Sequence, residues 1–468
     1  MKKIIIIWLA LFLSNATAQN DPIDYISFKK ISNLDFSVFN NPKYSKYYNK
    51  KYNEKLFLQH FYSEWNNNET KHTISKNEWL EFFTYFETSK NAPCYAGNYR
   101  KFTKEFLYNL TANIPSNKRK FPHFLKKGIL VKTADLRGLP TKEFCFRGMR
   151  DAGESYPFDN LQYSSIWIGT PITILSKTKD GLWYFVSTPN NKGWVESEKV
   201  AFVSDKQSTE IQNKKLGAIT KDNCIVQKDW NFVELHIGTI LPIDNQKKTS
   251  VLIPYKSFED NYVVFKSFKV DHSENFQKFP LIFNAKNTKK ILSDMLGGKY
   301  SWGGIDGGRD CSSTLKDYLT PFGIWLPRNS SQQVKRGEMI TLSGDNKEET
   351  IIEQGIPFLT SVYKRGHIML YVGLDKRSKT PLIYQTVWGI KAFYKDFNLM
   401  QIALQREKYG VFGIDQGNTF NNTVETRFII GGTVITPLEP TSGFNKIKGL
   451  KVTPFVKNLV TMTIFSDK

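Results

Sequence analysis

The sequence predicts an α+β chain built from several units, and three observations carry that expectation. A helix-like stretch runs to about residue 130, short strands broken by turn residues follow to about 272, and two helical stretches, one before Tyr300 and one after Cys311, followed by a strand meander occupy most of the rest. The chain has 468 residues, and domains of roughly 100–200 residues imply three or four units. Charged residues make up 23% and apolar residues 40%, a globular rather than a disordered composition.

Residues 1–18 read as a signal peptide: Lys2 and Lys3, an apolar run from Ile4 to Leu13, then the small-x-small site Ala16-Thr17-Ala18. That run is too short to span a membrane, no later segment is apolar enough to do so, and no cysteine follows the expected cleavage site. An exported protein, periplasmic or secreted, without an integral membrane segment is expected. Residues 19–130 are expected to form a helical N-terminal region, because "SEWNNNETKHTISKNEWLEFFTYFETSK" sets capping residues before periodic aromatics. Its His60, His72 and His123 are scattered and read as surface or structural groups.

Residues 131–205 carry "GTPITIL", "DGLWYFVS" and "GWVESEKV", strands separated by Gly, Asp, Asn and Pro. These pieces resemble a bacterial SH3b barrel. Residues 206–272, with "GTILPI", "VLIPYKSF" and "NYVVFKSFKV", resemble a degenerate second copy. Residues 273–440 form the expected α+β unit, and 441–468 read as a C-terminal tail or covering segment.

The net charge is +21, and +19 without Lys2 and Lys3. The excess is dispersed rather than gathered in a stripe, which argues against nucleic acid and leaves room for weak, salt-sensitive attraction to an anionic envelope polymer. The four cysteines, Cys94, Cys145, Cys224 and Cys311, permit three two-bridge pairings, and their wide spacing without CxxC disfavours zinc. If Cys311 stays free, one other cysteine is left over. No metal and no cofactor are expected.

Chemistry concentrates at "GGRDCSSTLKDYL", where Cys311 opens a helix whose Leu315, Tyr318, Leu319 and Phe322 share one face. Free backbone N–H groups and the positive helix end are expected to lower the thiol pKa. A cysteine nucleophile needs a base, and of six histidines only His367 follows Cys311. In "HIMLYVG", His367, Met369 and Tyr371 face one way and Ile368, Leu370 and Val372 the other. A hairpin folded near Lys376 would set "PLIYQTVWGI" alongside, with Gln385 roughly opposite His367 and able to accept from its N–H. A slip of one residue would turn Gln385 away.

"YSWGG", "GRDCSS", "FGIWLPRNSSQQ" and "GHIMLYVG", in that order, resemble the NlpC/p60 cell-wall cysteine peptidases over most of 292–437. "YPFDNLQYSSIWIGTPITIL" resembles the SH3b1-type domain of a subgroup with an N-terminal stabilising region and two SH3b domains. The resemblance implies a papain-like catalytic domain and cleavage of the γ-D-glutamyl bond to meso-diaminopimelate or lysine in peptidoglycan stem peptides. Cys311 would attack, His367 would move the proton, and Gln385 would take a third position that is commonly histidine. Asp310, Ser312, Tyr300 and Ser330 would contact substrate, with Asp310 meeting a free L-alanine amine and Glu154 and Tyr156 of the first barrel closing that end. Ser313 stands where glycine is frequent. An intact-wall endopeptidase or N-acetylmuramoyl-L-alanine amidase is the alternative within the same chemistry. A non-catalytic SH3b wall-binding protein is the alternative outside it. A monomer is expected.

Overall fold

The computed structural model describes residues 26–66, 94–115, 121–148, 155–244, 250–270, 272–394, 417–420, 423–443, 450–451 and 453–466. The expected signal peptide, His72, Glu154 and most of the aromatic stretch quoted above lie outside the described residues.

Alternating apolar residues build a seven-stranded antiparallel sheet from 126–202, with Leu136, Ile172, Ile174, Val186, Val195 and Val200 turned into its core. A four-stranded sheet and a three-stranded sheet follow between Leu216 and Lys278 and enclose Val226, Leu235, Val251, Ile253 and Phe268. The third unit lays two helices, Ala285–Met295 and Cys311–Leu319, against an antiparallel sheet. That sheet runs in the spatial order Glu338–Thr341, Leu459–Ile464, Thr360–Lys364, His367–Leu374, Pro381–Tyr394, Thr423–Pro437, Gly417–Phe420.

Two expectations are corrected here. The stretch read as a tail supplies Leu459–Ile464, an internal strand of this sheet paired on both sides. Its Leu459 and Met462 are buried with Ile351, Val362 and Met369, so removing the strand would expose both core and ladder. The N-terminal region, among the described residues, is less helical than expected: three short 3-10 turns, Ile31–Asn33, Phe36–Asn40 and Pro42–Tyr44, precede the helices Glu54–Phe61, Ser63–Asn66 and Lys104–Ala112. Its aromatics are not the face of a separate bundle. Phe39, Tyr48, Tyr52, Phe57 and Trp65 share one core with Phe283, Leu315, Tyr318 and Phe358 of the third unit. Tyr48 donates to the Pro357 carbonyl at 2.6 Å, and Trp65 to the Gly128 carbonyl at 3.0 Å. The segment therefore straps two units together, each large ring finding a polar partner for its one polar atom.

Candidate active site

Asp310 sets the helix that begins at Cys311. It stands at the N-cap with extended backbone, accepts from the Ser313 N–H at 2.9 Å, and donates its own N–H to Ser313 Oγ at 2.8 Å. This reciprocal capping box satisfies two otherwise orphaned donors, and it gives Ser313 a task that glycine could not perform. Cys311 follows as the first helical residue, half-buried, while Leu315 and Leu319 anchor the helix in the core.

The approach to that helix is held from the first β-unit. Gly303 and Gly304 have φ of 62° and 75°, and a Cβ on Gly303 would lie 2.5 Å from the Gln162 side chain. Only glycine lets this loop pass so close to the strand Gln162–Ile166. Gln162 donates to the Gly303 carbonyl at 3.3 Å and Ser165 Oγ donates to that of Gly304.

His367 begins the strand His367–Leu374, beside the tight turn at Arg365-Gly366. Ile368, Leu370 and Val372 enter one core and Met369 and Tyr371 another, the alternation read from the sequence. The pairing Leu370↔Tyr384, continued by one step, sets Gln385 across from Met369, so Gln385 reaches His367 along the diagonal rather than from directly opposite. The contact is made: His367 Nε2 and Gln385 Oε1 are 2.8 Å apart. Gln385 Nε2 donates to Thr436 Oγ1 at 3.0 Å, which leaves the amide oxygen for the imidazole. With Nε2–H donating to Gln385, the lone pair of His367 is on Nδ1. Cys311, His367 and Gln385 line one cavity of about 810 Å³.

The expected low thiol pKa is corrected. Burial, followed by the Asp310 carboxylate, pushes the Cys311 thiol up to about 12, against the backbone N–H groups of Ile368 and Ser312 and the Arg328 guanidinium. Burial also lowers His367 to about 4, opposed by the Gln385 hydrogen bond and reinforced by Lys364. The pair rests as neutral thiol and neutral imidazole. The helix end is real, but desolvation outweighs it.

Sequence reasoning missed Arg328, although its motif was in view. Its guanidinium meets the Asp310 carboxylate at 3.1 and 2.5 Å, donates to Ser312 Oγ at 2.7 Å, and reaches Ser164 of the first β-unit at 3.0 Å. This cluster is buried, and it holds Asp310 below the usual carboxylate range even though burial acts the other way. Asp310 also accepts from Ser312 and from the Gly303 N–H. The two residues expected to contact substrate, Asp310 and Ser312, therefore reach the cavity with most of their hydrogen-bonding capacity engaged.

Tyr300 and Ser330 line the same cavity. Tyr156 is exposed and does not line the cavity, but its ring lies 6.4 Å from that of Trp388, which does. An aromatic wall was not foreseen: Phe158 lies 6.1 Å from Tyr300, 5.2 Å from Trp302 and 6.1 Å from Trp388. The loop bearing Phe158 is ordered by a buried pair, Arg137 to Asp159 at 2.6 Å, with Asp159 also accepting from the Cys145 N–H. Cys145 is bonded to Cys94, while Cys224 is buried and free. A larger cavity of about 1170 Å³ lies among the three units, and no cysteine is among the described residues that line it. No group of three or more potential metal ligands occurs among the described residues, and no described helix is long and apolar enough to cross a membrane.

Residues 297–392 match the NlpC/P60 family, and residues 145–196 match the SH3 domain of the SH3b1 type. No curated protein matches the chain. Among solved structures, an NlpC/P60 endopeptidase from Photobacterium damselae subsp. piscicida is 23% identical with a TM-score of 0.74, covering 96% of this chain and 98% of that one. An NlpC/P60 family protein from Bacillus cereus ATCC 10987 is 14% identical with a TM-score of 0.40, covering 66% of this chain and 83% of that one. The chain thus carries an NlpC/P60 domain and an SH3b1-type domain, and shares the Photobacterium protein's fold over nearly its whole length. One SH3 domain is matched; the second β-unit is described by its strands alone.

Proposed function

We propose that this chain is an extracytoplasmic cysteine endopeptidase of peptidoglycan stem peptides, cutting the γ-D-glutamyl bond to the diamino acid. The observation that carries the reading is the joint placement of Cys311, His367 and Gln385 in one cavity inside the region matched to NlpC/P60. The second β-unit is read as a degenerate SH3b copy.

The resting pair is neutral, so His367 acts as general base during attack rather than storing a thiolate beforehand. The Cys311 sulfur bonds to the D-glutamyl side-chain carbonyl carbon as the thiol proton passes to His367 Nδ1. The tetrahedral oxyanion would be met by the Cys311 backbone N–H, which at the first helical position has no intrahelical partner. The same proton is returned to the departing amine, leaving a thioester that water hydrolyses. Gln385 keeps the imidazole in the required tautomer throughout. An uncapped stem would bring its ammonium to the Asp310 side, where Arg328 already satisfies the carboxylate. The ammonium therefore competes with Arg328 rather than filling an empty acceptor. Tyr300, Ser330 and Tyr156 would bound that end of the peptide.

Mass spectrometry of L-Ala-γ-D-Glu-meso-diaminopimelate after incubation with protein tests the reading, with Cys311→Ala as control and the N-acetylmuramoyl-capped peptide alongside. Release of L-Ala-D-Glu from the uncapped peptide is the expected result. Cleavage of both would move the substrate to intact wall, and no Cys311-dependent product from either would overturn the peptidase reading.

A further inference from the structure

We propose that the larger cavity, on the far side of the Cys311 loop from the catalytic one, binds a segment of N-acetylated glycan. The proposal concerns a second site and stands apart from the peptidase reading.

One loop forms the wall between the two cavities. Gly307, Gly308 and Arg309 line the larger one, and the next three residues, Asp310, Cys311 and Ser312, line the catalytic one. Lys299 and Tyr300 divide in the same way, the first toward the larger cavity and the second toward the catalytic one. Two ligands can therefore be held at once, back to back across a single stretch of chain.

Size and charge narrow the class of ligand. At about 1170 Å³ the cavity exceeds the roughly 300–1,000 Å³ usual for one small ligand, so a short oligomer suits it better. Five cationic and six acidic side chains line it, close to balance in a chain of net charge +21. Several of these are already engaged: Arg309 with Asp222, Lys132 with Glu198, and Asp135 with Gln162 and Ser165. His236, stacked on Trp167 at 4.8 Å, is held below its ordinary value by burial and adds no charge at neutral pH. This lining favours neither an anion nor a cation. It suits a neutral, polar ligand.

Aromatic rings and amides supply the rest. Phe232 and Phe258 line the cavity from the second β-unit, and both are exposed. Large rings left bare at a polar-rimmed cavity mark a binding surface. A sugar ring offers a face of polarised C–H bonds, which the negative face of an aromatic ring attracts. Asn223, Asn231 and Asn261 stand in the same lining. Their side-chain amides can both donate and accept, which matches an acetamido group as well as hydroxyls. An uncharged oligomer with hydroxyls, acetamido groups and apolar ring faces is an N-acetylhexosamine oligosaccharide.

Calorimetric titration of tetra-N-acetylchitotetraose into the Cys311→Ala protein tests this. Cellotetraose, which keeps the ring and linkage but lacks the acetamido groups, is run alongside. Saturable binding of the N-acetylated sugar is expected, at least about tenfold tighter than that of cellotetraose, whose missing acetamido groups would leave polar partners unmet. Phe232→Ala and Phe258→Ala should each weaken it by roughly 2- to 10-fold, and the double variant by about tenfold or more. Both positions are exposed, so the denaturant midpoint should hold in all three variants. Saturating L-Ala-γ-D-Glu-meso-diaminopimelate should not displace the sugar, because the two occupy opposite sides of the loop. Absence of saturable sugar binding, equal affinity for cellotetraose, an unchanged affinity in the double variant, or displacement by the tripeptide would each overturn the site. Failure of the peptidase reading leaves these isotherms as they are, since no turnover is measured.

Discussion

The Arg328 guanidinium and the Asp310 carboxylate meet in two contacts, of 3.1 and 2.5 Å, directly before Cys311. One residue comes from the N-cap of the Cys311 helix and the other from the loop after it, and the same guanidinium extends to Ser164 of the first β-unit. Helix start, the cavity at Cys311 and the neighbouring unit are thereby joined at one buried charge pair.

Breaking that pair should be costly. Arg328→Met leaves Asp310 buried and uncompensated, with an expected loss of about 3–5 kcal/mol in denaturant unfolding. Asp310→Leu added to it should recover part of the loss, because the unpaired charge is then gone. The acid side follows from the sign of the shift: Asp310 is lowered in the folded state, so its contribution is complete above the unfolded carboxylate value near 3.9 and disappears as pH falls through the folded one. A wild-type unfolding series from pH 6 down to pH 2 should show that decline, and it should be shallower in the double variant.

Cys311 should alkylate slowly at neutral pH. With the thiol at about 12 and His367 at about 4, neither group is ionised at pH 7. Iodoacetamide trapping, mapped by peptide mass to separate Cys311 from Cys224, should accelerate steadily as pH is raised toward 10. Catalysis should behave differently: kcat/KM falls only as pH drops toward about 4, where His367 becomes protonated. Fast, pH-independent trapping between pH 5 and 7 would reveal a preformed thiolate–imidazolium pair instead.

Gln385→Leu removes the acceptor of the His367 Nε2–H. A buried donor left without a partner costs about 1–3 kcal/mol, so kcat/KM should drop roughly 5- to 150-fold. KM should change little, because the lost contact orients the base rather than the substrate. Gln385→His can keep an acceptor nitrogen at the same place and should recover much of the rate.

Met462→Ala should destabilise the third unit by about 2–5 kcal/mol, measured by the denaturant midpoint, since Met462 is fully buried between two sheet neighbours. Truncation before Leu459 should yield no soluble folded chain.

Local sequence determined the chemistry-bearing elements. A cysteine after Gly-Arg-Asp, followed by helical apolar spacing, points to a helix start at Cys311, and the short apolar run after His367, bounded by Gly366 and Gly373, points to a strand buried on both faces. Both signals operate over a few residues, and both elements formed as read. The Gln385 contact was legible only approximately, because diagonal and direct cross-strand neighbours depend on the register of a hairpin whose turn contains no decisive signal.

Tertiary structure decided the rest, through separations that local periodicity cannot encode. Arg328 finds Asp310 across 18 positions, Leu459–Ile464 enters a sheet begun at Glu338, and Phe39 to Trp65 pack on a core formed mainly by residues from Phe279 onward. The thiol pKa belongs to the same class. A helix N-terminus is visible in sequence, whereas the burial that outweighs it exists only once strand, loop and barrel have closed around Cys311.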